Sequence, residues 1–136
     1  MIPVFQTKFT KLTDDDPPQY ITRGNCHAAC LASLLECKIS DLPPFEELPD
    51  DGSWYFATLQ ALDKYDLDFS PCHVSLVQPY YAIGYGKSPR GNWGHSCVYF
   101  NGKLLHDPYP HGGGLTRIDG WYVLTPLERN EISITP

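Results

Sequence analysis

The order of sequence patterns along the chain predicts an α+β fold, in which helices come first and an antiparallel sheet follows. Two segments in the first half have helical composition and spacing, and β-branched and aromatic segments follow residue 67. Thirteen Pro and eleven Gly separate these segments and are expected to keep each of them short. A chain of 136 residues has room for one core, so residues 1–136 are expected to form a single domain.

The individual helices and strands are predicted from local composition. Residues 3–9 indicate a first strand. The Ala- and Leu-rich residues 26–37 predict a helix, and Asn25 is expected to cap it by accepting a hydrogen bond from a free backbone N–H. A second helix is predicted over residues 53–64. The strands predicted for the sheet are CHVSLV, YYAIGYG, HSCVYF, KLLHDP and GWYVLTP.

The distribution of charged and apolar residues excludes several classes of protein. The net charge is −6 and the basic residues are scattered singly, so binding to nucleic acid is not expected. The first residues lack the pattern of a signal peptide, and no apolar run has the length needed to span a bilayer. We therefore expect no membrane association and a cytoplasmic location, in the cell of origin or in a host cell. Five cysteines in such a chain are expected to be reduced thiols.

Cys26 stands at the predicted start of the first helix, where the backbone N–H groups are unpaired and the helix dipole is positive. Both effects favour the thiolate, and the same N–H groups can hold an oxyanion that forms beside the sulfur. An alternative is that small side chains on one helix face only allow close packing on a sheet. That stripe consists of Cys26, Ala29, Cys30, Ser33 and Cys37, and packing is the preferred role for Cys30 and Cys37.

A thiol nucleophile needs a base and an acceptor that orients the base, and His95 and Asp107 can supply both. They lie on consecutive predicted strands joined by a turn at Asn101-Gly102. A two-residue turn places them on opposite faces of the sheet, whereas a three-residue loop over 100–102 places them opposite each other on one face. A triad therefore requires the three-residue loop, or a bulge that compensates for a two-residue turn. Without a triad, His95 is a strand-end histidine and Asp107 begins an Asp-Pro turn.

The segments GNCHAACLASLL and GHSCVYFNGKLLHDP resemble the Cys–His–Asp arrangement of papain-like cysteine peptidases. The branch that they resemble includes the double-glycine leader peptidases and the NlpC/P60-type amidases. The longer run SPRGNWGHSCVYFNGKLLHDPYPHGGGL is also similar to small uncharacterised phage and bacterial proteins, so the host cell of a phage is one expected location. The resemblance covers residues 19–115. It implies a papain-like fold, in which a helix carrying the cysteine packs on a twisted antiparallel sheet.

The same resemblance implies roles for three residues and suggests further ones. Cys26 is the expected nucleophile, His95 the general base and acid, and Asp107 the residue that orients His95. Papain-like enzymes carry a Gln shortly before the cysteine as an oxyanion donor, and Gln19 is the candidate here. Asn25 or the backbone N–H of Cys26 is the alternative donor.

Three further residues are candidates for substrate binding. Arg90 precedes the expected base and is a candidate for binding an anionic substrate group, although a surface arginine is the commoner case. Trp54 and Trp93 are expected to line a substrate groove or to pack in the core.

The sequence therefore predicts a thiol-dependent hydrolase that cleaves an amide, peptide or isopeptide bond in a peptide or protein, without a cofactor. One alternative is a binding or inhibitor protein on the same fold, for example one encoded by a phage and acting on a host protein. The second alternative is a zinc protein, but the ligand spacing does not match paired zinc knuckles, so no metal is expected. The possible ligands are Cys26, His27, Cys30, Cys72, His73, His95, Cys97, His106 and His111.

Overall fold

A computed structural model describes residues 1–76 and 79–127 of the chain. It confirms an α+β fold with two α-helices in the first half. Helix α1 runs from Cys26 to Leu35 and helix α2 from Ser53 to Asp63. Two short 3-10 turns, Ile39–Asp41 and Phe45–Glu47, connect the helices.

Strands follow the helices, as expected, and form one antiparallel sheet with the order β3-β7-β4-β5-β6. The last strand, β7, therefore inserts between β3 and β4, and β6 lies at an edge. A separate antiparallel pair, β1 with β2, precedes α1. The strands are β1 (Lys11–Leu12), β2 (Tyr20–Thr22), β3 (Leu67–His73), β4 (Tyr81–Lys87), β5 (Gly94–Phe100), β6 (Lys103–His106) and β7 (Arg117–Pro126).

Two strand predictions were wrong. Residues 3–9 form no strand, because their backbone groups bond to side chains and to backbone outside the strands instead of pairing with a neighbouring strand. Examples are the N–H of Val4, which donates to Ser33 Oγ at 2.9 Å, and the carbonyl of Val4, which accepts from His106. The strand predicted for 72–77 is misplaced: β3 ends where that segment begins, and residue 77 lies outside the described residues.

The main core lies between the two helices and one face of the sheet, with α1 packed against β5 and α2 against β3. Small side chains on α1, including the fully buried Cys30, allow the helix to lie close to the sheet, as the sequence predicts for Cys30. Full burial of Leu31 and Leu62 stabilises the fold by about 1.5–3 kcal/mol each. The buried members of this core are Ala28, Cys30, Leu31, Ala32, Leu42, Phe45, Leu62, Phe69, Ile83, Val98 and Leu124.

Two features of the sheet matter for the site: the edge of β5 that β6 leaves free, and the side chains on the other face. Strand β6 pairs only with Val98–Phe100 of β5, so the edge of β5 before Val98 is available to the start of α1. The alternate side chains of the same strands form a second cluster on the other face of the sheet, which includes Cys97 and Tyr99.

Within residues 1–76 and 79–127, neither helix has the length and apolar character needed to cross a bilayer.

Candidate active site

Cys26 is the first residue of α1 and lies beside the free edge of β5. Burial alone raises the pKa of this thiol, but a hydrogen bond and the positive charge of His95 lower it more, together with hydrogen bonds from Ser96. The net result is a pKa below the ordinary value of 9.0. The start of helix α1 and the start of strand β5 therefore combine to favour the thiolate of Cys26.

Asn25 does not cap α1 through its side chain, which corrects the sequence prediction. Its Oδ1 instead accepts hydrogen bonds from the backbone N–H groups of Thr7 and Lys8 at 2.9 and 3.0 Å. Its Nδ2 donates to Thr7 Oγ1 at 2.9 Å, so the amide predicted as an alternative oxyanion donor is bound elsewhere. Because Asn25 does not cap the helix, the N–H groups of the first turn beside Cys26 carry no side-chain cap.

His95 and Asp107 meet, with His95 Nε2 at 2.7 Å from Asp107 Oδ1. Of the two routes that permit a triad, the structure has the second: a two-residue turn with a compensating bulge, and not the three-residue loop. The turn at Asn101-Gly102 has two residues, with φ of 51° and 76°, the left-handed pair typical of a type I′ turn. A bulge compensates, because Val98 pairs with His106 while Tyr99 pairs with Leu104. The extra residue, 105, shifts the register by one and moves Asp107 to the face that carries His95.

The Asp107 carboxylate is fixed on both oxygens. Oδ1 also accepts a hydrogen bond from the N–H of Tyr109 at 2.9 Å, and Oδ2 accepts one from the N–H of Gly114 at 2.8 Å. Burial raises the pKa of Asp107, but these bonds and His95 lower it more, to about 2. The carboxylate is therefore ionised at neutral pH and holds His95 in one orientation.

The hydrogen bond to Asp107 determines which nitrogen of His95 faces the thiol. Nε2 donates to the carboxylate, so Nδ1 is the nitrogen left for Cys26. Burial lowers the pKa of His95, but the hydrogen bonds to Asp107, Cys26 and Cys97 raise it, to about 11. A lowered thiol pKa next to a raised imidazole pKa favours the thiolate–imidazolium form of the pair.

Two cavities adjoin Cys26, and both are lined by Cys26, Thr10 and Gly94. The larger one, here called the aromatic cavity, measures about 380 Å³. The smaller one, here called the His95 cavity, measures about 230 Å³. The aromatic cavity is lined by rings that include His27, Phe45, Trp54, Tyr85 and Tyr122. The His95 cavity is lined by His95, Gln6, Phe9, Arg90, Trp93 and Tyr109 in addition to the shared residues.

The residues predicted to bind substrate are thus divided between the two cavities, Trp54 in the aromatic cavity and Arg90 and Trp93 in the His95 cavity. Gln19 lies elsewhere: its side chain is exposed beside β2 and it lines neither cavity. The structure therefore does not place the predicted oxyanion donor near Cys26.

A different glutamine, Gln6, lies near Cys26, and sequence reasoning missed it. Its side chain is 7% exposed and lines the His95 cavity with Cys26. Nε2 donates to the carbonyl of Lys8 at 3.0 Å, and Oε1 is buried without a hydrogen-bond partner. Gln6 is far from Cys26 in the sequence, and for that reason it was not considered. The β1–β2 hairpin brings the two ends of the intervening segment together, since the N–H of Asn25 donates to the carbonyl of Lys8 at 3.2 Å. The turn-rich composition of the segment before Cys26 was the sequence signal that this segment folds back on itself.

Two other histidines have structural partners. His106 bonds through Nε2 to the carbonyl of Val4 at 2.8 Å, and so takes no part in the triad. His27 Nε2 donates to Thr58 Oγ1 at 2.9 Å, since that hydroxyl itself donates to the carbonyl of Trp54. Burial lowers the pKa of His27 to about 4, so it is a neutral wall of the aromatic cavity at pH 7.

One group among the described residues has the composition of a metal site. The ligand atoms of His95, Cys97 and Asp107 lie within 4.8 Å of one another, and all three residues are buried. However, Nε2 of His95 and both oxygens of Asp107 are already satisfied by hydrogen bonds. Burial raises the pKa of Cys97, whereas a zinc ligand must be a thiolate. The group is therefore better described as a hydrogen-bonded network around His95.

No family model, no curated protein and no solved structure matches this chain. The geometry around Cys26 is accordingly the basis on which a function is inferred.

Proposed function

We propose that the chain is a papain-like cysteine hydrolase that cleaves an amide, peptide or isopeptide bond in a peptide or protein substrate. One observation carries this proposal: His95 hydrogen-bonds Asp107 through Nε2 and interacts through its other nitrogen with Cys26 at the start of α1. Nucleophile, base and orienting carboxylate are then in contact in that order, as acyl transfer requires. All five cysteines are free, which agrees with a reducing compartment such as the cytoplasm.

The reaction begins with the Cys26 thiolate, which attacks the carbonyl carbon of the scissile bond. The hydrogen bond and positive charge of His95 lower the pKa of Cys26 and so favour the ionised sulfur. The C–S bond forms as the carbonyl oxygen takes the electron pair and becomes an oxyanion.

Two sets of donors are available to that oxyanion. The uncapped N–H groups of the first turn of α1 lie beside the sulfur, and the helix dipole adds positive potential there. The Gln6 amide has a second N–H besides the one bonded to Lys8 and lines the same cavity as Cys26. We assign Gln6 as the side-chain oxyanion donor, in place of Gln19.

His95 completes both halves of the reaction. As imidazolium it gives its Nδ1 proton to the leaving amine, the C–N bond breaks and a thioester on Cys26 remains. Water then attacks the thioester, His95 takes the proton of the water, and the sulfur leaves as thiolate. Asp107 holds the ring in place and stabilises its positive charge throughout.

The papain-like assignment is supported by the kinds of element that carry each residue. The cysteine opens a helix packed on an antiparallel sheet, the histidine lies on a strand of that sheet, and the aspartate follows the adjoining strand. This is the arrangement that the resemblance of the two segments implies. A glutamine near the cysteine, Gln6, agrees with it as well.

The pH dependence of thiol alkylation tests the proposal. Iodoacetamide reacts with thiolates, so an ordinary thiol reacts about tenfold more slowly for each pH unit below its pKa. We expect the alkylation rate of Cys26 to fall less between pH 8 and pH 6 than that of an ordinary thiol, because the hydrogen bond and charge of His95 lower its pKa from the ordinary value of 9.0. In His95→Gln the ion pair is lost, and the reactivity of Cys26 at pH 6 should fall by about tenfold or more. Peptide mass spectrometry measures both rates.

Cys72 is the internal control, because it is half-buried and lies outside both cavities. Its alkylation rate at each pH should be the same in the wild type and in His95→Gln. If Cys26 followed the same profile as Cys72, the hydrolase proposal would fail. The chain would then be better described as a binding protein on this fold.

Gln6→Ala is expected to slow acylation of Cys26 by an activated ester by about 10²–10³-fold, because one oxyanion donor is removed. The alkylation rate at pH 6 should stay nearly constant, since Gln6 does not contribute to the lowered pKa of Cys26. The two measurements together separate oxyanion stabilisation from thiol activation. Stopped-flow release of nitrophenolate measures the acylation rate.

Gln60→Ala is the matched control, because Gln60 is exposed on α2 and lines neither cavity. Its acylation rate should equal that of the wild type. An acylation rate in Gln6→Ala equal to that of Gln60→Ala would remove Gln6 from the oxyanion site.

A further inference from the structure

The wall of the His95 cavity carries a guanidinium with no carboxylate partner among the described residues. Arg90 is half-buried there, and no Asp or Glu oxygen within residues 1–76 and 79–127 lies within 4.0 Å of it. Its Cζ lies 3.5 Å from the centre of the Tyr109 ring, and Nη1 donates to the carbonyl of Gly112 at 3.3 Å. Most of its five N–H donors therefore remain for a ligand.

The loop that carries Arg90 is held in place by its own contacts. The N–H of Arg90 donates to Ser88 Oγ at 3.1 Å, and Ser88 is fully buried. Lys87 Nζ donates to the carbonyls of Ser88 and Gly91, both at 3.3 Å. Trp93 packs so closely on Gly91 that a Cβ at that glycine would lie 1.9 Å from the ring. The guanidinium is thus fixed before any ligand arrives, which lowers the entropy cost of binding.

The chemistry of His95 determines which part of a substrate this cavity receives. The leaving amine must accept a proton from His95, so the leaving group lies on the side of Cys26 that His95 lines. That side is the His95 cavity, and the aromatic cavity does not include His95. The aromatic cavity then holds the acyl part of the substrate. Arg90 consequently faces the leaving group.

We propose that Arg90 selects substrates whose leaving group carries a carboxylate close to the leaving amine. This inference rests on the proposed function and deepens it. A guanidinium stacked on an aromatic ring presents its N–H fork to a planar carboxylate and is not replaced equivalently by lysine. The cavity, at about 230 Å³, is smaller than sites for drug-sized ligands of about 300–1,000 Å³. It therefore suits a single terminal amino-acid residue.

Partitioning of the acyl-enzyme tests this selection directly. Wild-type protein is acylated with the p-nitrophenyl ester of N-acetylphenylalanine, and the thioester is divided between water and an added amine. In aminolysis the amine nitrogen bonds to the acyl carbon, the C–S bond breaks, Cys26 leaves as thiolate and the amine proton passes to His95. The amine occupies the leaving-group side, so its preference reports on the His95 cavity.

Three amines distinguish the source of the carboxylate. Alanine carries an α-carboxylate, alaninamide carries none, and the α-amide of glutamic acid carries only a side-chain carboxylate. Yields are normalised to the free-amine concentration. We expect wild-type protein to prefer at least one carboxylate amine over alaninamide. Arg90→Met should lower that preference about tenfold or more, because a hydrogen-bonded ion pair is lost. The intrinsic reactivity of each amine cancels in this comparison between proteins.

Arg90→Lys keeps the positive charge and is measured in parallel, as a second variant should Arg90→Met fail to fold in thermal unfolding. It should retain part of the preference and lose the rest, because the fork and the ring stack are gone. Equal preferences in wild type and both variants would overturn the selection by Arg90 while leaving the hydrolase proposal intact. Failure of the ester to acylate Cys26 at all would overturn the proposed function and this inference with it.

Discussion

Cys26→Ala is expected to abolish the covalent intermediate and to reduce turnover of an activated ester by at least about 10³-fold. Among residues 1–76 and 79–127, Cys26 is the one sulfur-bearing residue that lines the two cavities, and the variant removes it. The remaining donors at the start of α1 still bind the substrate but have no thioester to form. Intact-mass spectrometry of the trapped protein measures the acyl adduct, and nitrophenolate release measures turnover.

The fold should tolerate this substitution, because Ala is a good helix former and the groups that act on the Cys26 thiol, His95 and Ser96, belong to the site. Cys72→Ala is the matched control and should keep both the adduct and the turnover. A normal acyl adduct in Cys26→Ala would show that another thiol carries the reaction, and the triad would no longer explain it.

The helix that presents Cys26 was predictable because its signals are local. Ala- and Leu-rich composition defines α1, and the position of Cys26 at its first residue follows from the sequence alone. The cap prediction failed at Asn25 because the same side chain has a better use: it binds the backbone of residues 7 and 8. Capping preferences describe whether a residue favours the position before a helix. They do not account for hydrogen bonds between its side chain and a segment from elsewhere in the chain.

The sequence predicted contact between His95 and Asp107 only on the condition that their two strands pair in a particular register. The turn residues Asn101-Gly102 fit both a two-residue and a three-residue loop, and local sequence does not decide between them. The structure combines a two-residue turn with a bulge at residue 105, which restores the required face. A bulge depends on how the two strands pack against the rest of the sheet. That information is not contained in the hairpin sequence.

Gln6 shows a third kind of limit. A search by sequence spacing favours the nearest glutamine upstream of Cys26, which is Gln19, but the β1–β2 hairpin carries that residue away from the site. Contacts at the base of the hairpin, such as the hydrogen bond from Gly24 N–H to Thr10 Oγ1 at 3.2 Å, make the chain nearly continuous from Gln6 to Cys26. Distance along the chain is therefore a poor guide to distance in space wherever a hairpin closes.

Asp107→Asn is expected to slow acylation by about 10²–10⁴-fold, because an amide carries no charge to stabilise the His95 imidazolium. The amide of the variant cannot accept hydrogen bonds at both oxygen positions of the carboxylate, because its NH₂ end only donates them. Either its NH₂ group faces the N–H of Gly114, which leaves two donors opposed, or it faces His95 and forces the proton onto the other ring nitrogen. Both arrangements raise the pKa of Cys26, so its alkylation at pH 6 should also fall.

Asp119→Asn is the matched control, because Asp119 is paired with Arg117 at 2.6 Å but is exposed to solvent far from the reacting groups. Exposed pairs contribute about 0–1 kcal/mol, so this variant should keep the wild-type acylation rate.

The two variants also differ in acid stability. The pKa of Asp107 is lowered from 3.8 to about 2, so its stabilisation is present above pH 3.8 and is lost as the pH falls towards 2. Unfolding curves should show this loss in the wild type and in Asp119→Asn but not in Asp107→Asn. Unchanged acylation in Asp107→Asn would mean that His95 is oriented by other contacts, and the triad would reduce to Cys26 and His95.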